Sequence, residues 1–341
     1  MKRDVQLDIY RGLTMIYILC VAHNLYWLGN ASEPILSVIL FVIPIVFFIA
    51  GAANSLRKSK RGLWSTALNR VNRVAVPYYL YAIVMVAIGL LATLFLRGTD
   101  YFRLMPFDIS GYGWPEVKDI LLFQNIPNCP CVAHIWFIPL YLILSCTFAI
   151  QEKLMKVINK HLYVLICLLA FLAAQAFTSL SLLRELLCYN VFMVAGFVYY
   201  RKIKARAVAL VALTAAGALA AYMFVFGGSL CPMQGHKFPP DWIYLTYSIM
   251  MLSLISLILW RVKLPNNRIL RIWNERGFTI YLYQTLVFWI VLLLHQERII
   301  NLPISLGHTI LDALIVFLLS TALSFLTYPM ERFVQSKLKP T

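Results

Sequence analysis

The chain is predicted to be all-α: a polytopic bundle of about ten transmembrane helices with both termini in the cytoplasm. Ten apolar stretches alternate with short connectors along its 341 residues. Hydrophobic residues make up 61% and charged residues 13%, with a mean hydropathy of +0.77, outside the range of soluble domains. Lys and Arg collect on every second connector. So little length is left outside the apolar stretches that residues 1–341 are expected to form a single membrane-embedded domain.

The spans are expected at 9–29, 34–56, 74–97, 133–151, 161–179, 183–200, 206–227, 241–261, 277–297 and 303–326. Each is near the ~20 residues that carry an α-helix across ~30 Å of hydrocarbon. The first follows Met1-Lys2-Arg3 and lacks a small-residue cleavage site, so it is expected to be a permanent helix and not a signal peptide. The second stops at the basic run Arg57-Lys58-Ser59-Lys60-Arg61. Connector 98–132, with Gly111-Tyr112-Gly113-Trp114-Pro115 and the apolar patch Ile120-Leu121-Leu122-Phe123, is expected to fold against the outer surface, as a lid or as a packed loop.

The N-terminus and connectors 57–73, 152–160, 201–206, 261–276 and 327–341 together hold 23 of the 30 Lys and Arg, the opposite connectors with their flanking span ends hold 6, and Arg11 lies inside the first span. Basic loops resist translocation, so the first group marks the cytoplasmic face. The formal charge of +16 is thereby accounted for by topology and lipid headgroups, and nucleic-acid binding has no support. Cys20, Cys146, Cys167 and Cys188 lie within spans as small apolar fillers. Cys129, Cys131 and Cys231 lie on the outer side, where a bridge from Cys231 to either of the others is conceivable. Cys129-Pro130-Cys131 alone does not make a metal site, and none is expected.

Polar groups at membrane depth carry the functional information, because an ionisable side chain there costs several kcal/mol unless it is paired or faces a wet cavity. The first span holds Asp8, Arg11, His23 and Asn24. Asp8 and Arg11 lie one turn apart on one face, as a headgroup-level ion pair or as part of a catalytic helix. His23 lies ~18 Å further along the axis, in the outer half. The last span places His308 and Asp312 on one face, where the carboxylate could orient the imidazole or cap donors of a neighbouring helix.

These residues resemble a known family. Leu7-Asp8-Ile9-Tyr10-Arg11-Gly12-Leu13 followed by His23 is similar to the start of the integral-membrane acyltransferase-3 family. Phe48-Ile49-Ala50-Gly51 resembles its small-residue turn, and Arg70-Val71-Asn72-Arg73 with Pro77-Tyr78-Tyr79 its basic entry to the third span. His134-Ile135-Trp136-Phe137-Ile138-Pro139 resembles its His-x-Trp-Phe helix start, Phe278 to Gln284 its tyrosine-rich late span, and Tyr328-Pro329-Met330-Glu331 its closing segment.

The resemblance implies a membrane O-acyltransferase, commonly of acetyl, that moves the group from cytoplasmic acyl-CoA to a hydroxyl of an extracytoplasmic sugar or lipid-linked acceptor. It implies no tightly bound cofactor, with acetyl-CoA or another acyl-CoA as co-substrate, and a multi-pass setting best matched by a bacterial inner membrane. Membrane lipids would surround the chain, and self-association is left open. His23 would be the general base, Arg11 and Asp8 its companions on the catalytic helix, and Arg70 and Arg73 the partners of the CoA phosphates. His134 and Trp136 would face the substrate, and Tyr281, Gln284 or Asn24 would supply oxyanion donors. A covalent acyl-histidine is a variant of this scheme. The competing class is a transporter or lipid flippase, which broken spans repeated in two halves would favour; the sequence gives no sign of them.

Two departures matter. The family pattern has ten residues between the arginine and histidine of the first helix, ~20° apart in phase, whereas Arg11 and His23 have eleven between them, ~120° apart. A shared cavity then requires a π-bulge within Gly12–Ala22, expected near Gly12, whose missing side chain tolerates distortion. If the helix were regular instead, His134 or His308 would be the better base. The second departure is Gln284 where the family often shows histidine, which leaves proton transfer to His23 or another imidazole.

Overall fold

A computed structural model describes residues 4–29, 31–57, 63–100, 113–123, 134–177, 179–259, 262, 264–265, 267–297 and 306–338. The helices are α1 (Val5–Ile16), which runs into a π-helical segment (Tyr17–His23) and α2 (Asn24–Trp27), then α3 (Glu33–Ile39), α4 (Val42–Ser55), α5 (Leu63–Leu96) and α6 (Trp114–Leu121). A 3₁₀ turn (His134–Trp136) opens α7 (Phe137–Val157), followed by α8 (Lys160–Ala174), α9 (Ser181–Tyr199), α10 (Ala205–Val225), α11 (Met233–Lys237) and α12 (Trp242–Leu259). The chain closes with α13 (Arg268–Glu275), α14 (Gly277–Leu282), α15 (Gln284–Gln296) and α16 (Leu306–Lys337). No strand occurs among the described residues, so the helical bundle expected from hydropathy is the observed fold.

Among the described residues eight helices are long and apolar enough to cross a membrane, and they coincide with the first four, the sixth to eighth and the tenth expected spans. The fifth and ninth are the shorter apolar helices Lys160–Ala174 and Gln284–Gln296. The residues group into two compact units, Met1–Thr14 with Ala31–Lys60 and Ile150–Arg271, and Met15–Asn30 with Arg61–Ala149 and Ile272–Thr341.

In the first unit α4 and α9 meet backbone to backbone. A Cβ on Gly51 would collide with the Met193 carbonyl, and one on Gly196 with the Phe48 carbonyl. Helices in lipid gain no hydrophobic drive from one another, so such small-residue contacts, which maximise dispersion, hold them together. Phe48-Ile49-Ala50-Gly51 therefore lies within a continuous helix and not at the expected turn. The second span is broken at Leu40 and Phe41, with φ and ψ near −80° and 5°. The buried hydroxyls of Tyr244 and Tyr247 donate to the carbonyls of Leu40 (3.2 Å) and Val38 (2.6 Å), which answers the acceptors around this interruption. At the N-terminus Asp4 pairs with Arg201 at 3.0 Å and accepts from the Tyr200 hydroxyl at 3.3 Å.

In the second unit Trp273 is fully buried, stacks on Phe317 at 5.2 Å and donates its indole N–H to Thr321 at 3.1 Å. The Arg276 guanidinium lies 4.0 Å from the Phe325 ring centre. Connector 98–132 departs from expectation where it is described. The hydroxyls of Tyr78 and Tyr79 donate to the carbonyls of Ile120 (2.7 Å) and Leu121 (2.8 Å), and Phe123 packs on both rings. Those tyrosines stand ~27 Å along the axis from the C-terminal end of α5, where connector 98–132 begins, so α6 runs back alongside that helix instead of resting on that end. The contact uses the C-terminal carbonyls of α6, which have no partner within their own helix. Cys129, Cys131, residues 101–112 and the basic residues Lys58, Lys60 and Arg61 lie outside the described residues.

Candidate active site

The first span is not a regular α-helix. It widens into π geometry over Tyr17–His23, and the Asn24 N–H reaches back five residues to the Leu19 carbonyl. The wider turns absorb residues without advancing the helix phase as an α-turn would, which is the irregularity that the eleven-residue spacing demands. It falls within the expected Gly12–Ala22 except for its last residue, but not near Gly12, which is helical and whose missing side chain instead admits the Leu270 carbonyl, 2.6 Å from where a Cβ would lie.

The π segment ends on His23, which is half-buried. Its Nδ1 is 2.5 Å from Gln284 Oε1. A carboxamide oxygen only accepts, so Nδ1 carries the proton and Nε2 is the basic nitrogen of the ring. Gln284 is fully buried at the start of α15, directly after Tyr283 breaks the ninth span with φ −82° and ψ 4°. Its Nε2 amide has no hydrogen-bond partner of normal geometry among the described residues. The break thus sets beside the imidazole an amide that also contacts the Tyr281 side chain.

Aromatic rings wall this pair. Trp27, one turn after His23 on the same face, stacks on its ring at 5.9 Å, and Tyr281 lies 6.0 Å away. His134 presents its ring to Trp27, Tyr81 and Tyr281 at 6.2, 6.1 and 5.1 Å, and the Tyr281 hydroxyl donates to the His134 carbonyl at 2.5 Å. His134 is buried, and neither ring nitrogen has a hydrogen-bond partner of normal geometry among the described residues.

The structure thus brings together His23, His134, Tyr281 and Gln284 from the sequence-predicted set. Asn24 turns elsewhere: it is fully buried and its amide donates to the Thr309 carbonyl of α16 at 3.1 Å. Trp136 is half-buried and packs edge-on against Phe137. Asp8 and Arg11 belong to the first unit, where they pair at 3.4 Å. Arg70 is half-buried and Arg73 exposed, three residues apart on α5.

Three features escaped sequence reasoning. Trp27 lacks any motif. Glu331 is buried, accepts from the Thr279 hydroxyl at 2.6 Å through Oε2, and leaves Oε1 without a partner among the described residues. Its signal was a carboxylate at helix depth, inside a segment quoted only for its resemblance. His295 completes a cluster with His308 and Asp312.

A multi-pass helical membrane protein with a tautomer-fixed imidazole among buried aromatic rings is what fold and site define. A family model described as an acyltransferase domain matches residues 4–329, and the chain belongs to that family, acyltransferase-3. Membership points to a membrane acyltransferase, hence a transferase. Searches among curated proteins and solved structures return no match.

Proposed function

We propose that the protein transfers an acyl group, acetyl in the simplest case, from cytoplasmic acyl-CoA to a hydroxyl of an extracytoplasmic carbohydrate or lipid-linked acceptor, in a bacterial inner membrane with both termini cytoplasmic. The hydrogen bond between His23 Nδ1 and Gln284 Oε1 carries this reading, because it fixes the tautomer that a general base requires.

His23 Nε2 takes the acceptor's hydroxyl proton as the oxygen attacks the thioester carbonyl. The C–S bond then breaks, and the coenzyme leaves as a thiolate that collects the proton from the imidazolium. Charge on the carbonyl oxygen needs fixed donors. Of the three residues considered for this role, Tyr281 and Asn24 donate to backbone carbonyls, and Gln284, which touches the His23 ring directly, is assigned to it. His134 is assigned to substrate contact, because its ring stands against Trp27, Tyr81 and Tyr281 beside His23. Arg70 and Arg73 supply charge for the CoA phosphates, and Arg11 with Asp8 supports the donor's passage.

Broken spans, one in each unit, favour a second reading as a carrier or flippase. The interruptions involve only Leu40–Phe41 and Tyr283, whereas ion and substrate sites in carriers use unwound backbone, so acyl transfer is preferred. Incubating purified protein with labelled acetyl-CoA separates the two: an acyltransferase releases CoA in an acceptor-dependent manner, and a carrier releases none.

A further inference from the structure

Apart from the His23 cluster, the second unit contains one concentrated set of metal-ligating side chains among the described residues: His295 near the end of α15, and His308 and Asp312 in the first turns of α16. His295 Nε2 lies 3.2 Å from His308 Nε2 and 2.9 Å from Asp312 Oδ1, and His308 Nε2 lies 3.4 Å from Asp312 Oδ2. The Asp312 carboxylate is fully buried, His308 is buried, and the His295 side chain is 22% exposed.

We infer that these three side chains form a binding site for a divalent transition metal of the zinc class. The spacing is the first argument. Zinc bonds of ~2.0–2.2 Å in a tetrahedron place neighbouring donor atoms roughly 3.3–3.6 Å apart, close to the 3.2 and 3.4 Å separations, while the 2.9 Å contact would open slightly around the ion. The protons are the second. Two imidazole nitrogens 3.2 Å apart cannot both present N–H groups to one carboxylate without opposing each other, whereas one cation draws both lone pairs and the carboxylate to a point. Charge is the third. A divalent ion held between the fully buried Asp312 carboxylate and the two imidazoles would offset the cost of placing that carboxylate inside the protein.

Two imidazoles and one carboxylate suit zinc with a fourth position left open, and the partial exposure of His295 gives the ion a route of entry. A bound ion would clip α15 to α16 one residue before Thr309, whose carbonyl accepts from Asn24, the neighbour of His23. The site is independent of the acyl-transfer reading, because its test measures metal and not turnover.

The test uses full-length protein with a tag free of histidine, in detergent, stripped with a chelator and titrated with Zn²⁺ by calorimetry. One ion should bind per chain, with the affinity lowered roughly 100-fold or more in His295→Gln and in Asp312→Asn but unchanged in the surface control His161→Ala. Because Asp312→Asn may fail to fold, wild type is also titrated with Co²⁺, which should give the visible absorption of a four-coordinate nitrogen–oxygen site, and Zn²⁺ should raise its melting temperature. Wild-type binding no tighter than that of His295→Gln, or no Zn²⁺ effect on melting, would overturn the site in favour of a hydrogen-bonded histidine pair.

Discussion

His23 and Gln284, 261 positions apart in the chain, share a 2.5 Å hydrogen bond in which the carboxamide oxygen can only accept. That contact turns an apparent defect of the sequence, glutamine where an imidazole is expected, into the device that sets which nitrogen of His23 is basic. The glutamine moves no proton. It holds the ring and, in the proposed mechanism, its amide faces the developing charge.

Gln284→Glu separates those two duties, because a carboxylate still accepts from Nδ1 but offers no N–H. Turnover should fall about 100-fold or more while the apparent KM for the acyl donor stays within about twofold, the pattern of an interaction made only in the transition state. Steady-state kinetics of CoA release decides it; wild-type turnover would remove Gln284 from the chemistry.

Arg70→Gln and Arg73→Gln should behave in the opposite way. Contacts to phosphates remote from the reacting carbon contribute uniform binding, so the donor KM should rise roughly 10-fold with turnover little changed. The effect should shrink with a dephospho-CoA thioester. An unaltered KM would return both residues to membrane anchoring.

The π segment has a test of its own. Deleting Val21, which is exposed, should let Tyr17–His23 relax to a regular helix without turning His23 by the ~100° that a residue occupies in an α-helix. About a tenth or more of wild-type turnover should survive. Inserting an alanine at the same place should abolish turnover, and equal damage from both variants would show that the wide turn does not set the phase.

The α4–α9 contact predicts a stability effect. Gly196→Val forces a branched side chain against the Phe48 carbonyl, so the variant should lose about 3 kcal/mol or more and melt several degrees lower in detergent. Thermal unfolding followed by fluorescence measures it, and a melting temperature equal to wild type would contradict the packing.

Much of this was legible beforehand because hydropathy reports burial in lipid directly. The helical class follows from it, and eight of ten expected spans correspond to helices that can cross a membrane. The one-residue surplus between Arg11 and His23 announced a helix defect, since phase is arithmetic. Its location was not legible: glycine marks where distortion is tolerated, yet Gly12 is spent on the approach of Leu270. The break at Leu40–Phe41 does carry a signature, Pro44, which has no N–H for the Leu40 carbonyl four residues back and leaves it to the Tyr244 hydroxyl; the break at Tyr283 has no such Pro or Gly beside it. Contacts such as His23 with Trp27 and Gln284, or His295 with Asp312, depend on helix packing that no local pattern encodes.

The central claim is that His23 acts as the base in acyl transfer from a thioester. Its most direct measurement is acceptor-dependent CoA release from acetyl-CoA by purified wild type and His23→Ala, matched for insertion and melting temperature. Wild type should turn over, and the variant should be slower by roughly 100-fold or more. No release by wild type with acceptor present, or equal rates in the two proteins, would contradict it.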